Sequence, residues 1–273
     1  MLALDIDGTL IGSDKKIPSF TGQEIRRVTA DHAVHIVLIT ARGPQSTRII
    51  EEALGVECSY ATYGGSLVWA RNDDGGFTTL GETPLEFGDV RTFVEEGQRL
   101  DVHIGVYTRN DWIVNKLDYW GLREARNTSI WPTLVSPALV EWSESEEPVF
   151  KIMFRGDGDQ LTNLEKILRA RDAEAFIHRM PHVIEIVSAH AVKLPAVASL
   201  ANYLGYELGE IMAFGDSLSD VEMLEHVGVG VLMGNAAKSV QASHHVERTL
   251  SNDEDGIGVM LRKHFPTTAP FRT

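Results

Sequence analysis

The sequence predicts an α/β protein, a mostly parallel sheet wound on both faces by helices and interrupted by an inserted α+β module. Two patterns carry that prediction. Short apolar runs that end in polar or glycine-rich turns recur at residues 2–4, 34–39, 211–214 and 229–233, with amphipathic stretches between several of them. Strand alternating with helix is the signature of a parallel sheet. The middle of the chain has another texture. Strand-like segments at 103–107, 112–115, 149–154 and 183–187 sit beside helical patterns at 89–100 and 160–172. The parallel pattern then resumes near Val192. Residues 1–81 and 186–273 are therefore expected to form one discontinuous core domain, and 82–185 an insertion.

Taken in order, the first run ends in Asp5-Ile6-Asp7-Gly8-Thr9. Side chains alternate along extended backbone, so Asp5 and Asp7 are expected to leave the strand end toward one side. Two carboxylates held that close repel unless a cation or a proton sits between them. The second run ends in Thr40-Ala41-Arg42. Residues 71–76, Arg-Asn-Asp-Asp-Gly-Gly, are turn chemistry and read as a surface loop. The insertion carries Trp112, Trp120, Trp131 and Trp142, read as packing residues. After it come Val192-Lys193-Leu194-Pro195 and then Gly215-Asp216-Ser217-Leu218-Ser219-Asp220 at the end of the third run. In open α/β sheets, ligands bind beyond the carboxyl ends of the strands, where Asp5, Asp7, Thr40 and Asp216 are expected to meet.

Composition narrows the partners. A formal net charge of −14 on 273 residues argues against nucleic acid or an anionic membrane surface, while leaving room for a small anionic ligand at a local cationic site. The single cysteine, Cys58, cannot form an internal disulfide and fits a reducing compartment as a small buried hydrophobe. No apolar run approaches the roughly 20 residues of a membrane span, and the N-terminus lacks a secretory signal. A cytoplasmic protein is expected. The ten histidines form no convincing metal pair and read as structural or solvated. Calcium loops fail on position: a loop beginning at Asp5 would need glutamate at its twelfth residue, which is Lys16, and one from Asp253 would end at His264.

Jointly, the ordered pieces Asp5-Ile6-Asp7-Gly8-Thr9, Thr40, Lys193 and Gly215-Asp216-Ser217-Leu218-Ser219-Asp220 resemble the haloacid dehalogenase superfamily of phosphohydrolases. Across most of the chain the pattern is similar to its Cof-type branch, in which a large α+β cap is inserted into a Rossmann-like core. Residues 210–236, EIMAFGDSLSDVEMLEHVGVGVLMGNA, resemble that branch's longest signature. The resemblance implies a Mg²⁺-dependent phosphomonoester hydrolase acting on a small phosphorylated metabolite such as a sugar phosphate. It implies Asp5 as nucleophile and Asp7 as general acid and base. Thr40, Lys193 and Gly8 would hold the transferring phosphate, and Arg42 would reach substrate or cap. The metal would be held by the carboxylates of Asp5 and Asp216 and the main-chain carbonyl of Asp7, with Asp220 beside them. Mg²⁺ suits such oxygen donors, keeping waters and a substrate phosphate in its remaining positions.

Three departures from the family pattern stand out. Leu194 follows the lysine where glycine is common, Ser219 precedes the last aspartate where asparagine is usual, and Gly64-Gly65-Ser66 stands where the branch often has Asn-Gly-Ala. Two other functions stay open on the sequence. One is a phosphosugar mutase of the same superfamily; the other is a non-catalytic metabolite-binding module on the same fold.

Overall fold

The computed structural model describes residues 1–136, 139 and 147–267; Trp142 lies outside the described residues. The chain opens with β1 (Leu2–Asp5), α1 (Ser19–His32), β2 (Ile36–Ile39), α2 (Pro44–Leu54), β3 (Cys58–Thr62), β4 (Leu67–Arg71) and β5 (Phe77–Glu82). There follow α3 (Phe87–Arg99), β6 (His103–Tyr107), β7 (Trp112–Val114), α4 (Tyr119–Thr128), β8 (Leu134–Val135), β9 (Lys151–Arg155), α5 (Gly158–Arg169), β10 (Ala175–Met180) and β11 (Val183–Ser188). The chain then returns with α6 (Lys193–Leu204), β12 (Met212–Gly215), α7 (Leu218–His226), β13 (Val229–Leu232), β14 (Glu247–Arg248) and α8 (Gly256–His264).

The strands form two sheets. One has eight strands in the order β14-β13-β12-β1-β2-β3-β4-β5, and the other six in the order β10-β11-β9-β6-β7-β8. In the first, β14 through β3 are parallel, and β4 and β5 add an antiparallel hairpin at the edge. The turn chemistry at 71–76 closes that hairpin, with Gly75 in the left-handed region and the Asn72 amide bonded to the Gly76 carbonyl. The register aligns Leu4 with Leu38 on one side and Phe214 on the other, so β1, β2 and β12 end together. This is how residues far apart in sequence reach one rim.

Alternation along these strands builds two cores. Leu2, Leu4, Leu38 and Phe214 pack on one face with Ile25 of α1, Ile50 of α2 and Leu261 of α8. Ala3, Val37, Ile39 and Ala213 pack on the other with Val197 and Leu200 of α6 and Leu224 of α7. Asp5 therefore belongs to the α6 and α7 face, two positions after Ala3. The helices carry the expected terminators: α2 starts at Pro44, and its last turn is closed by Gly55, whose amide bonds the Glu51 carbonyl.

The second sheet is covered on one face by α3 and α5, whose Phe93, Val94, Leu161 and Leu164 pack against Ile104, Ile152 and Phe154. Its other face carries Tyr107, Trp112 and Met153, which join Tyr63 and the first core in one apolar cluster. That face is pressed against the rim where β1, β2 and β12 end. β11 runs to Ser188 because it pairs with both β9 and β10, so the second sheet continues past the expected boundary at 185. Trp112 is buried and stacks on Tyr107 as a packing residue, but Trp131 is 66% exposed and does not pack as expected.

Candidate active site

The chain stops being extended at Asp5. The amides of Thr9, Leu10 and Ile11 bond back to the Ile6 carbonyl, and Gly8 takes φ +81°. Asp5 and Asp7 consequently part company, and the shared side expected from strand alternation does not form. Asp5 is 7% exposed and turns into a buried group, while Asp7 faces the cavity beneath the second sheet. The repulsion foreseen between these two instead arises among Asp5, Asp216 and Asp220, and the positive charge among them is Lys193.

Lys193 begins α6, on the face that Asp5 shares. Its ammonium lies 2.8 Å from Asp5 Oδ1 and 2.6 Å from Asp220 Oδ1, with both carboxylates buried. Asp220 is fixed from behind by a helix cap: its Oδ2 accepts from the Ser217 amide at 2.9 Å and from Ser217 Oγ at 2.6 Å. Asp216 sits at the mouth of the group and accepts from Thr9 Oγ1 at 3.3 Å. Gly8 packs against it so closely that a Cβ there would lie 2.3 Å from Asp216 Oδ2. Burial pushes the Asp5 carboxyl up to about 7; Lys193 opposes the shift and Asp220 adds to it. Asp216 is raised for the same reasons, burial first and Asp220 second. Burial pulls Lys193 down, yet Asp5 and Asp220 outweigh it and raise the ammonium above its ordinary range.

Single carboxylate oxygens of Asp5, Asp216 and Asp220 all lie within 4.8 Å of one another. Three carboxylates with one ammonium leave an excess of negative charge, and hard oxygen donors at that spacing suit a small divalent cation. The Asp7 side chain is not part of this group, so Asp7 could serve a metal through its main-chain carbonyl alone.

Asp7 has cationic neighbours of its own. Arg42 grips it through one edge of the guanidinium, Nε donating to Oδ2 at 2.6 Å and Nη2 to Oδ1 at 2.8 Å, and Lys15 adds a contact at 3.1 Å. Burial works against ionisation here, but Arg42 and then Lys15 prevail and hold the Asp7 carboxyl below the usual range. Thr40 is buried at the end of β2; its Oγ1 accepts from the Arg42 amide at 3.1 Å, which leaves its O–H free to donate. The structure thus brings together Asp5, Lys193, Asp216 and Asp220 as one cluster, with Gly8 against it, and Asp7 with Arg42 as a second.

Sequence reasoning missed the residues of the opposite wall. A cavity of about 420 Å³ runs from Asp7 and Arg42 to Tyr107, Lys151 and Arg155 of the second sheet. Lys151 Nζ donates to the Ala41 carbonyl at 3.2 Å, and Tyr63 Oη to the Thr108 carbonyl at 2.9 Å, each crossing from one sheet's elements to the other's. Arg155 pairs with Glu124 in the same wall. A signal existed: in β9, Lys151, Met153 and Arg155 alternate with Ile152 and Phe154, so one face of that strand is polar enough to line a site. Within Gly64-Gly65-Ser66, the glycine that matches the family pattern has a structural cause, whereas nothing in the structure explains Gly64 and Ser66. Gly65 has φ +104°, and a Cβ there would lie 2.6 Å from the Val192 carbonyl, the residue that presents Lys193.

Residues 2–261 match the family model of haloacid dehalogenase-like hydrolases. The chain is 30% identical to a putative phosphatase of Haemophilus influenzae, over 96% of this chain and 97% of that one. It is 28% identical to a 5-amino-6-(5-phospho-D-ribitylamino)uracil phosphatase of Bacillus subtilis, over 96% and 94%. Among solved structures, a haloacid dehalogenase-like hydrolase from Bacteroides thetaiotaomicron superposes with a TM-score of 0.85 at 24% identity, covering 97% of this chain and 98% of the other. The α/β fold and the family read from the four motifs are those found. By its match over nearly the whole length, the chain belongs to the haloacid dehalogenase-like hydrolases.

Proposed function

We propose that this chain hydrolyses phosphomonoesters of small phosphorylated metabolites, sugar phosphates among them, with Mg²⁺ and through an aspartyl-phosphate on Asp5. The observation that carries the reading is the buried Asp5 carboxylate held by Lys193 beside Asp216 and Asp220 at the rim of a parallel sheet. Asp5, Asp216 and the Asp7 carbonyl would hold the cation, with Asp220 nearby. Bound there, Mg²⁺ supplies charge neutralisation for the transferring phosphoryl group.

The protein's own groups do the rest. The Asp5 carboxylate attacks phosphorus as the bond to the leaving oxygen breaks, and Asp7 gives that oxygen its proton. Water then hydrolyses the acyl phosphate, losing its proton to Asp7, which frees phosphate and restores Asp5. Lys193 and the Thr40 hydroxyl offset charge on the equatorial oxygens, and Gly8 admits the phosphate close to the backbone. Asp7 must leave its bidentate pairing with Arg42 to act as an acid, so substrate entry has to draw Arg42 toward itself.

Residues 82–185 are proposed as a cap that closes over the site and reads the leaving group. The relative that acts on a ribitylamino-uracil phosphate supports a polyhydroxylated leaving group. A reducing, cytoplasmic location agrees with the single buried Cys58, and no helix among the described residues is long and apolar enough to cross a membrane. The deciding experiment is phosphate release from a panel of phosphorylated metabolites with and without Mg²⁺. Release that needs the metal is expected; full activity in excess chelator, or accumulation of an isomeric sugar phosphate in place of phosphate, would overturn the reading.

A further inference from the structure

The cavity beneath the second sheet continues into a cleft of about 290 Å³ that shares Lys15, Arg42, Asn127 and Thr128 with it and adds Lys16. The whole chain carries −14, yet three cationic side chains line this space and, among the described residues, no aspartate or glutamate does. The rest of the wall is part apolar, from Ile17, Ile49 and Ala53, and part polar, from Asn127, Thr128 and Ser129. The facing groups are few. Asp7 absorbs part of the charge of Arg42 and Lys15. Asp14, next in line, uses Oδ1 to accept from the Lys16 amide at 3.0 Å. Lys16 itself is exposed and forms no ion pair among the described residues.

The two lysines are held in place by a closed loop. The Gly12 amide bonds the Lys16 carbonyl at 2.8 Å, the Lys15 amide bonds the Gly12 carbonyl at 3.0 Å, and the Ser13 amide is anchored by Asp253 at 2.7 Å. Across the cleft stand Asn127 and Thr128 at the end of α4, an element of the second sheet's layer. Ser46 Oγ donates to the Thr128 carbonyl at 3.1 Å, which satisfies one acceptor of that helix end.

We infer that this cleft is a subsite for a second anionic group on the substrate, a carboxylate or a second phosphate at the end of the leaving group remote from the reacting phosphate. The inference rests on the phosphatase reading for where the substrate's first phosphate lies, and it narrows the substrate class to phosphorylated acids and bisphosphates. An anionic leaving group would meet Lys16 and Lys15 while its other end lies against Asp7. Its negative charge would also give Lys15 and Arg42 an alternative to Asp7, the release that Asp7 needs to work as an acid. Because an acidic molecule repels anions globally, a preference for the more highly charged of two matched ligands reports the local site.

The probes are sorbitol 6-phosphate and 6-phosphogluconate, open chains that differ only in a terminal CH₂OH or COO⁻. Dissociation constants are measured calorimetrically on the full chain with chelator present. We expect 6-phosphogluconate to bind about tenfold more tightly, a gap that narrows as salt is added. In Lys16→Met the ratio should fall toward one, and in Lys16→Arg it should return. A parallel comparison of mannitol 1-phosphate with mannitol 1,6-bisphosphate separates the anions: a gain with the carboxylate alone or with the phosphate alone names which the subsite takes. Equal affinity within both pairs, binding of none of the four, or a preference that Lys16→Met leaves intact would overturn the subsite. The two readings fail separately. A charge preference without phosphate release in Mg²⁺ would leave the subsite standing and sink the phosphatase, while brisk release with no charge preference would do the reverse.

Discussion

Asp5 and Asp7 are two residues apart yet sit in different places, Asp5 buried against Lys193 and Asp7 facing the cavity on Arg42, and that separation is the argument for giving them different work. Burial lifts Asp5 to about 7 against the pull of Lys193, whereas Arg42 and Lys15 keep Asp7 low. If Asp5 is the nucleophile, Asp5→Asn should abolish turnover and any covalent phosphoenzyme, since a neutral amide does not attack phosphorus. Asp7→Asn keeps the carbonyl at position 7 but removes the proton donor and acceptor, a loss of about 10²–10⁴-fold. With a leaving group that needs little protonation, its acyl phosphate should outlive formation. Intact-protein mass after rapid mixing, followed by hydroxylamine and mapping of the label, decides between them. Label elsewhere than Asp5, or near-normal turnover in Asp7→Asn with no label, defeats the assignment.

Much of this site was legible because its residues end strands. Asp5, Thr40 and Asp216 follow apolar runs, and a parallel sheet gathers the ends of such runs at one rim. What pattern could not convey was the turn after Asp5. A period of two put Asp5 and Asp7 on one side, but the chain turns directly after Asp5, with the Ile6 carbonyl taking the amides of the residues that follow the left-handed Gly8, and the periodicity ceases to apply. Lys15 was hidden for a related reason, since the loop that brings it to Asp7 is closed by Asp253, from 240 residues away in the chain.

At the scale of elements, the return of α8 onto α1 is what shuts the first sheet's layer on that face. Glu24 on α1 is buried, accepts from Arg27 Nη2 at 2.8 Å and from Arg262 Nε of α8 at 2.9 Å, and its carboxyl is driven down to about 2, by Arg262 first. A carboxylate whose folded pKa lies below its unfolded value of 4.5 stabilises the protein above that value and loses the contribution as pH falls toward 2. Glu24→Gln should therefore lower stability at pH 7 by about 2 kcal/mol, and the difference from the parent should shrink between roughly pH 5 and 2. Thermal unfolding followed across that window is the check; a difference that holds constant with pH would mean that packing, not charge, joins the two helices. Gly8→Ala tests a second element, the turn itself. Its Cβ would collide with the Asp216 carboxylate, and φ +81° is costly for alanine, so the variant should stay folded but need a higher Mg²⁺ concentration for half-maximal rate. An unchanged Mg²⁺ titration would show that Asp216 tolerates displacement and is not a metal ligand.

Among the described residues the strands form two sheets whose hydrogen-bonded ladders do not mix: every strand of the first comes from residues 2–82 or 212–248, and every strand of the second from 103–188. What joins them is a short set of cross-bonds and an apolar seam. Tyr63 bonds Thr108, Lys151 bonds Ala41, Ser46 bonds Thr128, and Glu82 forks onto Arg109. The Tyr63 ring also stacks on Phe150 at 5.7 Å. Units with separate ladders and few polar ties across a shared apolar seam can be parted without breaking either ladder. Replacing residues 84–189 with a short linker should then leave a soluble core that unfolds cooperatively, at a lower temperature because Tyr63 and its neighbours lose their cover. The excised core keeps Asp5, Asp7, Thr40, Lys193, Asp216 and Asp220, so it should still cleave a small activated aryl phosphate. It loses Lys151, Arg155 and the end of α4, and with them the discrimination among physiological leaving groups. The measurement is kcat/KM for the aryl phosphate and for the best metabolite of the panel, in the parent and the excised chain. A flattened ratio between the two supports a recognition role for the inserted layer, whereas an unfolded core, or a core with the parent's full selectivity, would show that recognition and folding are not divided along this seam.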